Sequence, residues 1–145
     1  MTDEFKDIFE TYLSDTDLIL HAGDVVSTEV IDFLERKPFF GVHGNMDPPE
    51  VRERLAGKRI IELGPFRLGL IHGWGSTKGL EDRVWPEFRG VDVIVYGHSH
   101  HPANHLRKGV VFFNPGTATG YTPTGANTLG LLDLGETVHG EIITL

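Results

Sequence analysis

Phe5, Ile8, Phe9, Tyr12 and Leu13 recur at i, i+3, i+4, i+7 and i+8, which lays one apolar stripe along a helix from about Asp3 to Leu13. Ser14-Asp15-Thr16-Asp17 ends it, and Leu18-Ile19-Leu20 then reads as a buried strand. Ser27 or Thr28 caps a second helix whose Val30, Ile31, Phe33 and Leu34 face inward, and Lys37-Pro38 stops it. Phe39 to Val42 is the next strand. Pro48-Pro49-Glu50 suits the first turn of a short helix through Leu55, where a missing N–H has no partner to lose. Ile60 to Leu63 and Phe66 to Ile71 flank Gly64-Pro65, a hairpin signal. Residues 74 to 90 read as loop and short helix. Val93-Ile94-Val95-Tyr96, Val110 to Phe113, Leu129 to Asp133 and Val138 to Thr144 complete the strands. Helix and strand alternate in the first half and strands dominate the second, with no repeat or linker between. The pattern predicts an α/β fold, two sheets with helices outside them, in one domain over 1–145.

The strands end alike. Leu18-Ile19-Leu20 leads to Gly23-Asp24, Phe39 to Val42 leads to Gly44-Asn45-Met46-Asp47, Leu68 to Ile71 leads to His72-Gly73, and Val93 to Tyr96 leads to Gly97-His98-Ser99-His100. In open α/β sheets, ligands gather outside the carboxyl ends of the strands, so this recurrence predicts one site rather than four unrelated turns. A carboxylate from Asp24 can bridge two cations, the Asn45 amide oxygen can ligate one, and His72, His98 and His100 add imidazole nitrogens. That mixed oxygen and nitrogen set suits manganese first, or iron, nickel, cobalt or zinc, better than calcium. Alternation along a short extended segment would turn His98 and His100 to the same side and Ser99 away. Taken singly, Asp24 is more simply a turn residue or a helix cap. The other three strand ends change that reading.

Of the remaining histidines, His21 lies inside a strand run and reads as a structural residue. His43 stands beside Asn45 and can donate a hydrogen bond to an anionic oxygen next to the metals. His101, His105 and His139 read as surface residues. Gly73-Trp74-Gly75-Ser76-Thr77-Lys78-Gly79 does not follow the phosphate-loop pattern, because its Ser, Thr and Lys precede the last glycine. Asn114-Pro115-Gly116 is a turn whose asparagine reaches the site only if it shares the same edge.

Composition narrows the partners. A formal charge of −8 disfavours a broad grip on nucleic acid, and bound divalent cations would offset part of it. The absence of cysteine removes disulfides and thiolate metal sites. No stretch approaches membrane-spanning length, and the acidic start Met1-Thr2-Asp3-Glu4 has no apolar signal region. A cytoplasmic protein acting on a small molecule is the expectation, with a homo-oligomer left open.

Gly23-Asp24, Gly44-Asn45 with Asp47, His72-Gly73, Gly97-His98-Ser99-His100 and the trailing Asn114-Pro115-Gly116 together resemble the calcineurin-like metallophosphoesterases, specifically the small YfcE-type phosphodiesterases of bacteria and archaea. The resemblance covers nearly the whole chain. It implies a two-sheet α/β/β/α sandwich and two metal ions bridged by Asp24. Asn45, His72 and His98 would complete the shell of one ion, and His100 would belong to the other. It also implies a hydroxide between ions roughly 3.5–4 Å apart attacking phosphorus in line, with Asn45, and His43 beside it, stabilising charge on the phosphoryl oxygens.

Two departures from that family stand out. Its opening strand ends in Asp-x-His, and no Asp-x-His occurs in this chain; the first strand is expected to be missing, as from a misplaced start codon or a gene fragment. Enzymes of the wider family carry a histidine where this chain has Met46, and a thioether cannot protonate a leaving alkoxide. The expected activity is metal-dependent hydrolysis of a phosphate ester, a diester first, favouring good leaving groups such as aryl oxides. The alternatives are a non-catalytic interaction scaffold, as in the retromer subunit that resembles this fold, or an inactive fragment.

Overall fold

In a computed structural model describing residues 1–145, the chain runs α1 (Asp3–Ile8), a π-helical turn (Phe9–Leu13), β1 (Ile19–His21), α2 (Thr28–Leu34), β2 (Phe39–Gly41) and α3 (Pro49–Arg54). It continues through β3 (Lys58–Leu63), β4 (Phe66–Ile71), α4 (Leu80–Val84), a 3-10 turn (Trp85–Glu87) and β5 (Val93–Tyr96), then β6 (Ala103–Arg107), β7 (Val110–Asn114), β8 (Thr128–Leu134) and β9 (Val138–Thr144). The helical stripe over 3–13 is one segment whose second half widens to i→i+5 bonding. Ser27 is the cap of α2, its hydroxyl accepting from Glu29 N.

A five-stranded mixed sheet, in the order β3-β4-β5-β7-β6, forms the centre. Strand alternation sends its side chains to two cores. Val93 and Val95 of β5, with Leu68 and Leu70 of β4 and Phe113 of β7, point to one face. Ile94, Tyr96, Ile71 and Phe112 point to the other, where Leu80, Val84 and Phe88 of the α4 region cover them. Gly69 is required there, because a Cβ would lie 2.8 Å from the Phe88 ring. The first face is covered by Leu20, Ala22 and Phe40 from β1-β2 and by Leu132, Val138 and Ile142 from β8-β9. Ile19 and Phe39 turn outward from β1-β2 to meet Phe9, Phe33 and Leu34 of the helical layer. The layers are therefore helix, strand, strand and helix, the α/β/β/α order expected.

Two details differ from the expectation. The second strand layer is not one hydrogen-bonded sheet: β1 pairs β2 in parallel, and β8 pairs β9 antiparallel, as separate ladders. β6 carries no sequence signal for a strand, since Ala103-Asn104-His105-Leu106-Arg107 is mostly exposed and lacks apolar alternation. Its pairing with β7 comes from the turn Lys108-Gly109, where both residues have positive φ (49° and 80°), as a two-residue hairpin demands.

Candidate metal centre

Parallel pairing carries β1 beside β2 and β4 beside β5, so the loops after each pair emerge at a common edge. Gly23-Asp24, Asn45, His72 and His98 meet there. The Asn45 amide oxygen is the shared atom, 2.9 Å from His72 Nε2 and 3.2 Å from His98 Nδ1. His72 Nε2 is also 3.3 Å from Asp24 Oδ2. No three imidazole or carboxylate groups close into a cage by themselves; the amide is what joins them.

Hydrogen bonds on the far sides of the rings decide what those atoms are. His72 Nδ1 lies 2.7 Å from Ala22 O and His98 Nε2 lies 2.6 Å from Gly75 O. A carbonyl only accepts, and so does the Asn45 amide oxygen on the other side of each ring, so a neutral ring can give its one proton to only one of the two; on the carbonyl side that proton ties each ring to the backbone. Burial also pushes the His72 imidazole below its ordinary pKa, against the opposing pull of the Ala22 hydrogen bond and Asp24, which keeps it neutral. With the protons on the carbonyl side, His72 Nε2 and His98 Nδ1 present lone pairs, as do Asn45 Oδ1 and Asp24 Oδ2. Four electron-pair donors converge with no proton among them, an arrangement that a divalent cation completes. An imidazole whose other N–H is tied to a backbone carbonyl is the usual second contact of a metal-binding histidine.

His100 stands differently. Its Nδ1 donates to Tyr121 O at 2.8 Å, which leaves Nε2 free. The His98-Ser99-His100 turn is not extended: φ is 68° at His98 and 60° at His100, so strand alternation does not apply to it. Asn114 shapes the turn. Its Nδ2 donates to Gly97 O (3.1 Å) and Ser99 Oγ (3.0 Å), and its Oδ1 accepts from Gly116 N. The Asn114-Pro115-Gly116 turn thus does share the site's edge, acting through the backbone of its neighbour.

Asp47 does for the other side what Asn114 does here. It is buried, and its carboxylate accepts from Asp24 N (3.0 Å), Val26 N (2.7 Å) and Gly44 N (2.7 Å). Asp24 and Val26 sit at φ 59° and 63°, a region that costs roughly 1–2 kcal/mol for a residue with a Cβ. The charge-assisted bonds to Asp47 hold them there. Sequence reading placed Asp47 in the motif without a role; the signal for one was its spacing of two from Asn45. Asp24 Oδ1 in turn accepts from Met46 N at 2.8 Å. Gly44 leaves room for that carboxylate, and at Gly23 a Cβ would lie 2.5 Å from His72 Nδ1.

The remaining histidines sort themselves. His21 Nδ1 accepts from Gly23 N at 3.2 Å, the structural role expected of it, and burial pushes its pKa down to about 4. His43 Nδ1 lies 3.4 Å from Arg52 Nη1; a guanidinium only donates, so Nε2 bears the proton. Its ring borders Arg52 and Gly57 rather than joining the contacts around Asn45. His105 pairs with Glu81 at 2.8 Å across from α4. His101 is exposed and His139 is exposed, as expected.

In sequence and in fold the chain is similar to known phosphoesterases. The calcineurin-like phosphoesterase superfamily domain matches residues 2–137. A probable metallophosphoesterase of the archaeon Methanothermobacter thermautotrophicus is 36% identical over 141 residues, covering 94% of this chain and 80% of that protein. The solved structure of an archaeal phosphodiesterase superposes with a TM-score of 0.74 at 25% identity, over 96% of this chain and 88% of that one. The zinc complex of Vps29 from Entamoeba histolytica shares the fold, with a TM-score of 0.72 at 24% identity over 99% and 89% of the two chains.

Proposed function

The chain belongs to the calcineurin-like phosphoesterase superfamily, and from that membership we propose that it is a metal-dependent phosphodiesterase using Asp24, Asn45, His72, His98 and His100 as ligands. The observation that carries this reading is the convergence of four lone-pair atoms around the Asn45 amide oxygen, with the far nitrogen of each imidazole tied to a carbonyl. Divalent transition-metal ions, manganese first among them, would supply an ionised water at neutral pH and positive charge for the phosphoryl oxygens. Asp24, Asn45, His72 and His98 would hold one such ion tightly, and Asp24 with His100, only two donors, would hold the second weakly.

The chain's own residues then orient the ester. Asn45 would meet the phosphoryl group from the ligand side, and His43, with its proton on Nε2, would donate to a phosphoryl oxygen on turning from Gly57 toward Asn45. Met46 has no proton to give the departing oxygen, so esters of good leaving groups are hydrolysed best.

Calorimetric titration with Mn²⁺ and hydrolysis of bis(4-nitrophenyl) phosphate test the proposal together. One tightly bound ion per chain and metal-dependent release of nitrophenolate are expected. Asp24→Ala and His98→Ala should each abolish both. Hydrolysis that persists in both variants would overturn the ligand assignment. Full metal binding with no hydrolysis of any phosphate ester would favour a scaffold role on the same fold.

A further inference from the structure

Four of the eight exposed large hydrophobic residues are bound into the ligand loops: Val26 (56% exposed), Met46 (67%), Trp74 (45%) and Tyr121 (77%). Each is fixed there through its own backbone or its neighbour's. Val26 N donates to Asp47, and Met46 N donates to the Asp24 carboxylate. Trp74 O accepts from Arg83, and the next carbonyl, Gly75 O, holds His98. Tyr121 O holds His100. The backbone that orients the candidate ligands therefore also presents apolar side chains to solvent; isolated apolar exposure is ordinary, and what sets these four apart is that each lies on a loop that carries or bonds to a candidate ligand.

The charged groups point the same way. The two guanidinium groups that reach these loops are spent on backbone carbonyls and, at Arg52, on His43 Nδ1, which leaves Lys78 as a single exposed ammonium. Arg52 donates to Asp47 O and Gly44 O, and Arg83 donates to Trp74 O, Lys78 O and Ser76 O. Neither offers the bidentate clamp that a polyphosphate or a second anionic group calls for. With a formal charge of −8, the chain also does not steer polyanions toward itself.

We infer that the substrate is a singly charged phosphodiester whose retained substituent is apolar and preferably aromatic, seated against Trp74 and Tyr121 with Met46 and Val26 beside it. This rests on the phosphodiesterase reading above. A planar ring gains most there, since aromatic side chains bury large area and stack on π-faces. The reaction itself is unchanged: water supplies the new oxygen on phosphorus, the leaving phenolate departs with the electrons of the P–O bond, and the protons go to solvent.

Two diesters with the same leaving group separate recognition from chemistry: benzyl 4-nitrophenyl phosphate and methyl 4-nitrophenyl phosphate. In the Mn²⁺-loaded protein, kcat/KM for the benzyl ester should exceed that for the methyl ester by about tenfold or more, the size expected for partial burial of one ring. Trp74→Ala with Tyr121→Ala should bring the ratio close to one. A second readout does not depend on turnover. In the zinc-loaded protein, the indole N–H resonance of Trp74, identified by its loss in Trp74→Phe, should shift on adding benzyl phosphate and not on adding methyl phosphate. The signal of Trp85, stacked on Phe112, should stay in place. Equal rates on the two esters with an unmoved Trp74 signal would overturn this inference and leave the hydrolytic function intact. If metal binds and neither ester is cleaved, the hydrolytic reading fails, and the Trp74 signal alone then decides whether these side chains receive an apolar phosphate ester.

Discussion

Asp47 carries more of the site's geometry than any residue proposed to touch metal. Its two oxygens satisfy three backbone N–H groups, two of them on residues in left-handed conformation. Asp47→Ala would leave those donors without a partner and release Asp24 and Val26 from their strained geometry. The expected loss is about 2–4 kcal/mol of stability, read by urea unfolding, together with at least tenfold weaker Mn²⁺ binding in the calorimeter. Unchanged stability would mean that water replaces the carboxylate and that the loops hold their shape unaided. At this scale the sequence revealed residue types: the carboxylate, the amide and the imidazoles that the resemblance marks as ligands are the ones that converge, apart from His100, which is held by Tyr121. It did not reveal the tautomers, because those depend on Ala22 O and Gly75 O, backbone atoms that any residue carries.

At the scale of elements, periodicity was a good guide wherever one face of a segment is buried. The stripe of α1 and its π-turn, the inward face of α2 and the hairpin at Gly64-Pro65 all stand where apolar spacing and turn residues put them. β6 escaped because an edge strand with exposed side chains has no pattern to show; it exists through its ladder to β7. The His98-Ser99-His100 turn defeated alternation for a related reason. Asn114 and the positive φ values set it, rather than any local preference of histidine. Gly69 is the point where sheet and helix layer come closest. Gly69→Ala places a methyl 2.8 Å from the Phe88 ring and should cost about 1–3 kcal/mol without altering Mn²⁺ stoichiometry. A loss under about 0.5 kcal/mol in urea unfolding would show that the α4 layer shifts freely.

For the molecule as a whole, buried neutral imidazoles link stability to pH. His21 has a folded pKa of about 4 against 6.5 in the free side chain, lowered chiefly by burial. The unfolded chain therefore takes up the proton first, and stability falls as pH drops from about 6.5 toward 4, then levels off. The shift corresponds to roughly 3 kcal/mol across that window. His72 is displaced in the same direction and adds to the slope. His21→Asn keeps an acceptor for Gly23 N and removes the titration, so its unfolding midpoint should vary less between pH 7 and pH 5 than that of the parent. A parallel pH dependence in both would place the linkage elsewhere.

Chain-wide spacing of apolar residues, with glycine-flanked Asp, Asn and His at the strand ends, was enough to indicate the layered α/β architecture and the edge at which Asp24, Asn45, His72 and His98 meet. Those features are local, and they act through burial and turn geometry that each segment carries with it. Tertiary structure alone decided that β1-β2 and β8-β9 form separate ladders, that Asp47 and Asn114 brace the loops, and which nitrogen of each histidine faces the cluster. It also gathered Val26, Met46, Trp74 and Tyr121 onto the ligand loops. The physical reason is the same in each case: hydrogen bonds between residues 15 to 50 positions apart and the exposure left after packing depend on where whole layers come to rest, and no short window of sequence contains that information.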